Sequence, residues 1–181
     1  MLNINSKKTA ILWALLCFGL LKPLYAKPVD KQSLLAALTL NLARFTTWPD
    51  LVNPILNVCV IGNNVVQASF SNLNVKTING KQVRFLNRSR LRPLEHCQVI
   101  YFGDLKKNLV RQALISIMGQ NALTIGEGVE FLKAGGMVSL EQQGGKMQLN
   151  INLSAVQQTG LVVSSRILNL ATIFEFPANM E

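Results

Sequence analysis

Cys59, Cys97 and the lone histidine, His96, are the residues of this chain best suited to chemistry. A cysteine beside a histidine suggests a thiolate nucleophile with its base. That reading requires a free thiol and two converging side chains, and adjacent residues rarely converge, so His96 reads as a loop histidine. There is no Cys-x-x-Cys spacing for thiol exchange. A metal needs several convergent ligands, which one histidine and scattered acids do not supply. Glu127 and Glu130 form a pair of acids three residues apart, and they read as a solvated helix face rather than a glycosidase pair. Ser164-Ser165 has no base near it in sequence and reads as a helix cap. Gly62, in Gly-Asn-Asn-Val-Val, lacks the further glycines of a dinucleotide-binding loop. The expectation is a protein with no catalytic residues, no metal and no cofactor.

The two cysteines then read as structural. Residues 1–26 have the layout of a secretory signal: Lys7-Lys8, an apolar run from Ala10 to Leu21, and Leu24-Tyr25-Ala26 ending in a small residue. The run is about a dozen residues, short of the roughly 20 that a membrane span needs. Leu24 is not ideal at the −3 position, which leaves an uncleaved anchor as the alternative. Cys17 follows Leu16, where a lipid-attachment motif needs a small residue. Export to an oxidising compartment makes the remaining even pair, Cys59 and Cys97, a disulfide candidate; two buried thiols are the alternative. A bridge closing a loop of about 40 residues contributes roughly 3–4 kcal/mol in the chain-entropy treatment.

Charge excludes one class of partner. Segment 1–26 carries three lysines and no acid, leaving 15 basic and 9 acidic residues of the chain's 18 and 9. Arg84, Arg88, Arg90 and Arg92 cluster, but no aromatics interleave them and the chain is exported, so a solvated strand end is expected rather than a nucleic-acid patch.

The elements that hold these residues follow from periodicity. In 134–153, Met147, Leu149, Ile151 and Leu153 alternate with Lys146, Gln148, Asn150 and Asn152, the period of two of a strand with one buried and one wet face. Val138 and Leu140 provide its partner strand, Gln142 to Gly145 the turn, and Gly135-Gly136 a helix exit or close backbone approach. Upstream, Asp30 or Ser33 can cap a helix with Leu35, Leu38, Leu42 and Phe45 on one face. The helix runs to about Arg44 and is broken at Trp48-Pro49. Trp48 reads as an anchor of the helix exit against the core. Ile55 to Ile61 and Gln98 to Phe102 are apolar runs suited to strands buried on both faces. A short helix over 65–71, a turn at Ile78 to Lys81, a strand over 82–87, a helix capped by Asp104, a strand over 122–125 and a helix over 127–133 complete the middle. Ser154 caps a helical turn ending near Gly160, and Ser164 to Leu170 forms the last helix. Alternating strands and helices predict one α/β domain over 27–181, a mainly parallel sheet flanked by helices with a C-terminal antiparallel hairpin at its edge.

Several stretches in order carry a resemblance: Asn-Leu-Ala-Arg-Phe-Thr-Thr-Trp-Pro (41–49), Leu-Asn-Val-Cys-Val-Ile-Gly (56–62), Ile-Asn-Gly-Lys (78–81), Cys-Gln-Val-Ile-Tyr-Phe (97–102), Leu-Thr-Ile-Gly (123–126), Gly-Gly-Met-Val-Ser-Leu (135–140), Leu-Asn-Ile-Asn-Leu (149–153) and Ser-Ser-Arg-Ile-Leu-Asn-Leu (164–170). Together they resemble the YfiR family of small periplasmic proteins. The resemblance implies a periplasmic repressor of an inner-membrane diguanylate cyclase of the YfiN type. It also implies an outer-membrane OmpA-like lipoprotein as a third partner, and the capacity to form a homodimer. Cys59 and Cys97 match one family disulfide, while a second pair near the hairpin is absent here. Ile167 and Leu170, expected to be exposed near the C-terminal helix, are the candidate partner contacts, with ordinary packing of that helix as the competing reading. The alternative function is a periplasmic small-ligand-binding protein, with its ligand at the C-terminal ends of the parallel strands around Gly62, Gly103 and Gly126. A hydrolase trails for want of a site.

Overall fold

The computed structural model describes residues 30–48, 51–88 and 94–176. The signal segment, Pro49, Arg90 and Arg92 lie outside them. The chain begins with α1 (Lys31–Arg44), capped by Asp30, whose carboxylate accepts the Ser33 amide at 2.9 Å. β1 (Thr46–Thr47), β2 (Ile55–Ile61), α2 (Asn64–Ser71), β3 (Thr77–Ile78), β4 (Lys81–Arg88), β5 (Val99–Phe102) and α3 (Lys107–Ser116) follow. Then come β6 (Leu123–Glu127), α4 (Val129–Lys133), β7 (Val138–Gln143), β8 (Lys146–Asn152), α5 (Leu153–Gln157), β9 (Val162–Val163), α6 (Ser165–Leu168) and β10 (Thr172–Phe174).

Eight strands form one sheet in the order β10-β8-β7-β6-β5-β2-β4-β3, and β1 pairs with β9 in a small separate ribbon. Strands β4, β2, β5, β6 and β7 run parallel to one another. β8 is antiparallel to β7, β3 is antiparallel to β4, and β10 is parallel to β8. The sheet is therefore mixed rather than mainly parallel. The reason is local: Asn79-Gly80 and Gly144-Gly145, all at positive φ, make tight turns that reverse the chain where a parallel connection would need a crossover. β8 is not an edge either, because β10, which the alternation did not predict, adds outside it.

The connections also explain the layers. From β2 the chain moves to β4 in one direction, and from β5 through β6 to β7 in the other. Right-handed crossovers then put α2 on one face and α3 and α4 on the opposite face. The two cores agree with this. Leu56, Val58 and Val60 of β2 join residues of α1, α2 and α5, whereas Cys59 and Ile61 join residues of α3 and α4.

This double covering corrects the reading of β8. Ile151 is fully buried as the alternation predicts, but Asn150 and Asn152 are buried too, at 5% and 3% exposure, rather than facing water or a partner. They lie on the second covered face with polar partners of their own: Asn150 donates to Ser139 Oγ, and Asn152 donates to Leu132 O and accepts from Ala155 N, capping α5. Ser154 is thus not the cap. Asp104 does not cap α3 either; it sits at φ 52° and accepts a hydrogen bond from Asn63, while α3 starts three residues later. Ser164 caps α6 as expected, and the helix ends at Leu168, before Leu170.

Candidate functional site

Cys59, in the middle of β2, is disulfide-bonded to Cys97, in the loop leading into β5, with Cα atoms 5.7 Å apart. Both are buried in the core beneath α3 and α4, so the bond fixes the start of β5 against its neighbour. His96 contributes only its backbone carbonyl to this corner, accepting from Asn57 Nδ2 at 2.8 Å.

The direction of the connections reverses between β2 and β5, where doubly wound sheets open a crevice at the carboxyl ends. Here the crevice is closed. Asn63 and Asp104 hydrogen-bond across it at 2.8 Å, and Gly103 N donates to Ile61 O. A Cβ on Gly62 would lie 2.8 Å from Gly103 O, and one on Gly103 would lie 2.9 Å from Val66 Cγ1. These glycines admit Val66 of α2, not a ligand.

Gly126 has a different neighbour. A Cβ there would meet the Phe131 ring at 2.5 Å, and one on Gly136 would meet it at 2.1 Å. The two glycines clasp Phe131, whose ring lies 5.5 Å from that of Phe102. Above these rings, between α3 and α4 and beside the ends of β5 and β6, lies a cleft of about 850 Å³. Lys107, Arg111 and Lys133 line it with Glu127 and Glu130. The three predicted glycines thus do not share one cradle, and only Gly126 helps build the cleft.

The acids of the cleft are engaged. Lys31 reaches from α1 to Glu127 at 2.5 Å, and the buried Tyr101 hydroxyl donates to the same carboxylate at 3.4 Å. Burial, and then the Glu127 charge, push the Tyr101 phenol well above its ordinary value. Glu130 accepts from Lys133 at 2.8 Å with Lys107 at 4.0 Å; the Lys133 hydrogen bond first, and then its charge, hold that carboxyl below the usual range. Among the described residues no cluster of three histidines, cysteines or acids could hold a metal, and no helix is long and apolar enough to cross a membrane.

The two predicted partner contacts separate. Ile167 is buried in the core with Val156 and Leu161, which corrects its expected exposure: its side chain fills the space between the short C-terminal helices and the sheet. Leu170 is 76% exposed, just ahead of β10, where Ile173 is also exposed. β10 itself was missed because three residues, Thr-Ile-Phe, are too short for a period. Of the basic cluster, Arg84 is exposed and Arg88 half-buried on β4.

The model of the YfiR/HmsC-like family matches residues 32–172. The chain belongs to that family. Membership identifies a regulatory, non-catalytic family of the periplasm, whose setting is cyclic di-GMP signalling. A conserved domain protein from Vibrio cholerae has a similar fold, with a TM-score of 0.54 at 12% identity over 80% of this chain. This chain spans 60% of that structure's length. An ABC domain from Streptococcus pneumonia, in complex with L-Trp, aligns at a TM-score of 0.49 and 10% identity, covering 77% of this chain and 60% of that one. No curated protein matches the sequence. The disulfide fits the family's compartment.

Proposed function

We propose that this protein represses an inner-membrane diguanylate cyclase of the YfiN type by binding the enzyme's periplasmic domain, thereby lowering cyclic di-GMP and biofilm formation. The family match across residues 32–172 is the observation that carries this reading. A protein that acts by binding alone controls an enzyme by favouring one of its states over another. The cyclase's catalytic domain lies in the cytoplasm, so the bias travels through its membrane helices. Leu170, exposed beside the edge strand β10, is the contact residue this reading favours, whereas Ile167 is buried in the core. An outer-membrane OmpA-like lipoprotein is the second partner, sequestering the repressor, and a second copy of this chain is a further partner in a homodimer. Residues 1–26 act as the cleaved signal, and 27–181 as the mature domain.

The test is cyclic di-GMP in single and double deletions. Deletion of this gene raises it, and the rise disappears when the cyclase is also deleted. Removal of residues 1–26 mimics the deletion by stranding the protein in the cytoplasm. An unchanged level in the single deletion, with the cyclase expressed and active, ends the repressor reading.

The cleft between α3 and α4 favours a second reading, a periplasmic small-ligand-binding protein. Its volume and its aromatic lining with a few charged groups are those of small-molecule sites. A ligand retained through purification supports it.

A further inference from the structure

We propose that the outer edge of β4, from Arg84 to Arg88, docks an extended acidic segment of a partner protein as an added strand, with the pattern acid-x-apolar-x-acid. This edge lies at the end of the eight-stranded sheet remote from β10. The surface is therefore separate from the Leu170 contact and does not rest on the repressor reading.

The open edge follows from register. β2 pairs with β4 from Gln82 to Arg88, whereas β3 pairs only with Lys81 and Gln82. Gln82 N donates to Pro54 O on the β2 side at 2.8 Å, and Val83 N donates to Lys76 O on the β3 side at 2.9 Å. Successive peptide groups of a strand alternate in direction, so the N–H and C=O groups of Phe85 and Asn87 also point away from β2. Among the described residues no other backbone group pairs with them there. The edge is also held firmly. Phe85 packs against one core, its ring 6.3 Å from that of Phe70, and Leu86 packs against the other. A strand edge already in place takes up an extended guest through main-chain hydrogen bonds, at no ordering cost of its own.

Charge selects the guest. Residues 51–94 contain six basic residues and no acid. Lys81 is committed to Leu51 O and Asn53 O. Among the described residues neither the Arg84 nor the Arg88 guanidinium has an ion pair, and Arg88 Nε is without a hydrogen-bond partner. Arg84, Leu86 and Arg88 share one face of β4, by the alternation of side chains along a strand. A second copy paired antiparallel about Leu86 would set Arg84 against Arg88 twice over, and like charges directly opposite destabilise a strand pair. Acids at those two positions replace the repulsion with two cross-strand charge pairs, and an apolar residue between them lies against Leu86. The pattern reads the same in both directions, so it suits a parallel or an antiparallel guest.

Fluorescence anisotropy of the exported protein with a labelled peptide, Glu-Thr-Val-Thr-Glu between serine flanks, tests the proposal. Lys-Thr-Val-Thr-Lys and the reordered Glu-Glu-Thr-Val-Thr, in the same flanks, are the comparison arms. The expected result is saturable binding of the first peptide, about tenfold tighter than of either other, with peptide-dependent protection of the Phe85 and Asn87 amides from hydrogen exchange. Arg84→Glu, at an exposed position, weakens the glutamate peptide about tenfold and tightens the lysine peptide, with the thermal midpoint unchanged. No saturation up to about 1 mM overturns the proposal. So does equal binding of the reordered peptide, which would mean charge attraction without strand pairing, or unchanged affinity in Arg84→Glu. Protection of Phe85 and Asn87 that rises with protein concentration in the absence of peptide would assign the edge to a second copy and overturn it as well.

Discussion

Asn150 lies directly opposite Ser139 in the β7–β8 ladder and donates from Nδ2 to Ser139 Oγ at 3.3 Å, with both side chains buried. This pair occupies the face of β8 opposite Ile151. Removing the amide leaves a buried hydroxyl with one partner fewer. Asn150→Ala is expected to cost about 1–3 kcal/mol, and Ile151→Ala about 2–5 kcal/mol as a core truncation. Urea unfolding of both variants decides the matter: a loss at Asn150 within about 0.5 kcal/mol, the surface norm, would mean that this face of the sheet is wet.

Phe131 is enclosed by glycines on both sides, and each Cβ added there would overlap the ring. Gly136→Ala is expected to lower stability by about 1–3 kcal/mol or more through overpacking. Pairing it with Phe131→Leu should recover part of the loss, because the clash is with that ring. Thermal melts of the single and double variants measure the coupling. Purely additive losses would place the strain elsewhere.

The Cys59–Cys97 bond lies within the core and links residues 38 apart in sequence. Non-reduced protein from the periplasm should therefore incorporate no alkylating label at either position by mass spectrometry, even when unfolded. The double variant Cys59→Ala, Cys97→Ala should lose about 2–5 kcal/mol. Two labelled cysteines in native material would contradict the bridge.

Tyr101 is the only tyrosine in 27–181, so its ionisation can be followed alone by ultraviolet absorbance. Its folded-state pKa is raised, by burial first and then by Glu127. A raised value means the proton stabilises the fold fully below the unfolded phenol value of about 10, and that contribution is lost as pH climbs beyond it. The expected titration shows no phenolate at pH about 10 in folded protein, and its appearance only together with alkaline unfolding. Ordinary ionisation with the fold intact would show that the hydroxyl is in contact with water.

Leu170 separates binding from folding. Being exposed, its replacement in Leu170→Asp should leave stability within about 0.5 kcal/mol. The repressor reading expects the same variant to raise cyclic di-GMP as deletion does. Full repression by a stably expressed Leu170→Asp protein would remove this residue from the contact surface. Ile167→Asp, by contrast, should fail to fold because it buries an unpaired charge.

What the sequence determined by itself was local. The apolar runs at 55–61 and 98–102, a helix cap at Asp30 or Ser33, the Gly144-Gly145 turn and the inward side of Ile151 all follow from a residue and its near neighbours, and the structure selects Asp30 as the cap. The pairing of Cys59 with Cys97 was legible because export left only those two cysteines. The tertiary structure decided what depends on distant partners. Asn150 is buried because β10, three residues with no periodic signal, closes the sheet beyond β8 and because the second face is also covered. Gly62 and Gly103 became packing sites, and the cleft moved to Gly126, because Val66 and Phe131 come from helices whose seating follows the handedness of each crossover. Ile167 and Leu170 look alike in sequence, but one side chain fills the core and the other faces solvent. Three residues apart on a helix they would share a face, yet the helix ends at Leu168, between them, and only the folded chain fixes where each side chain goes.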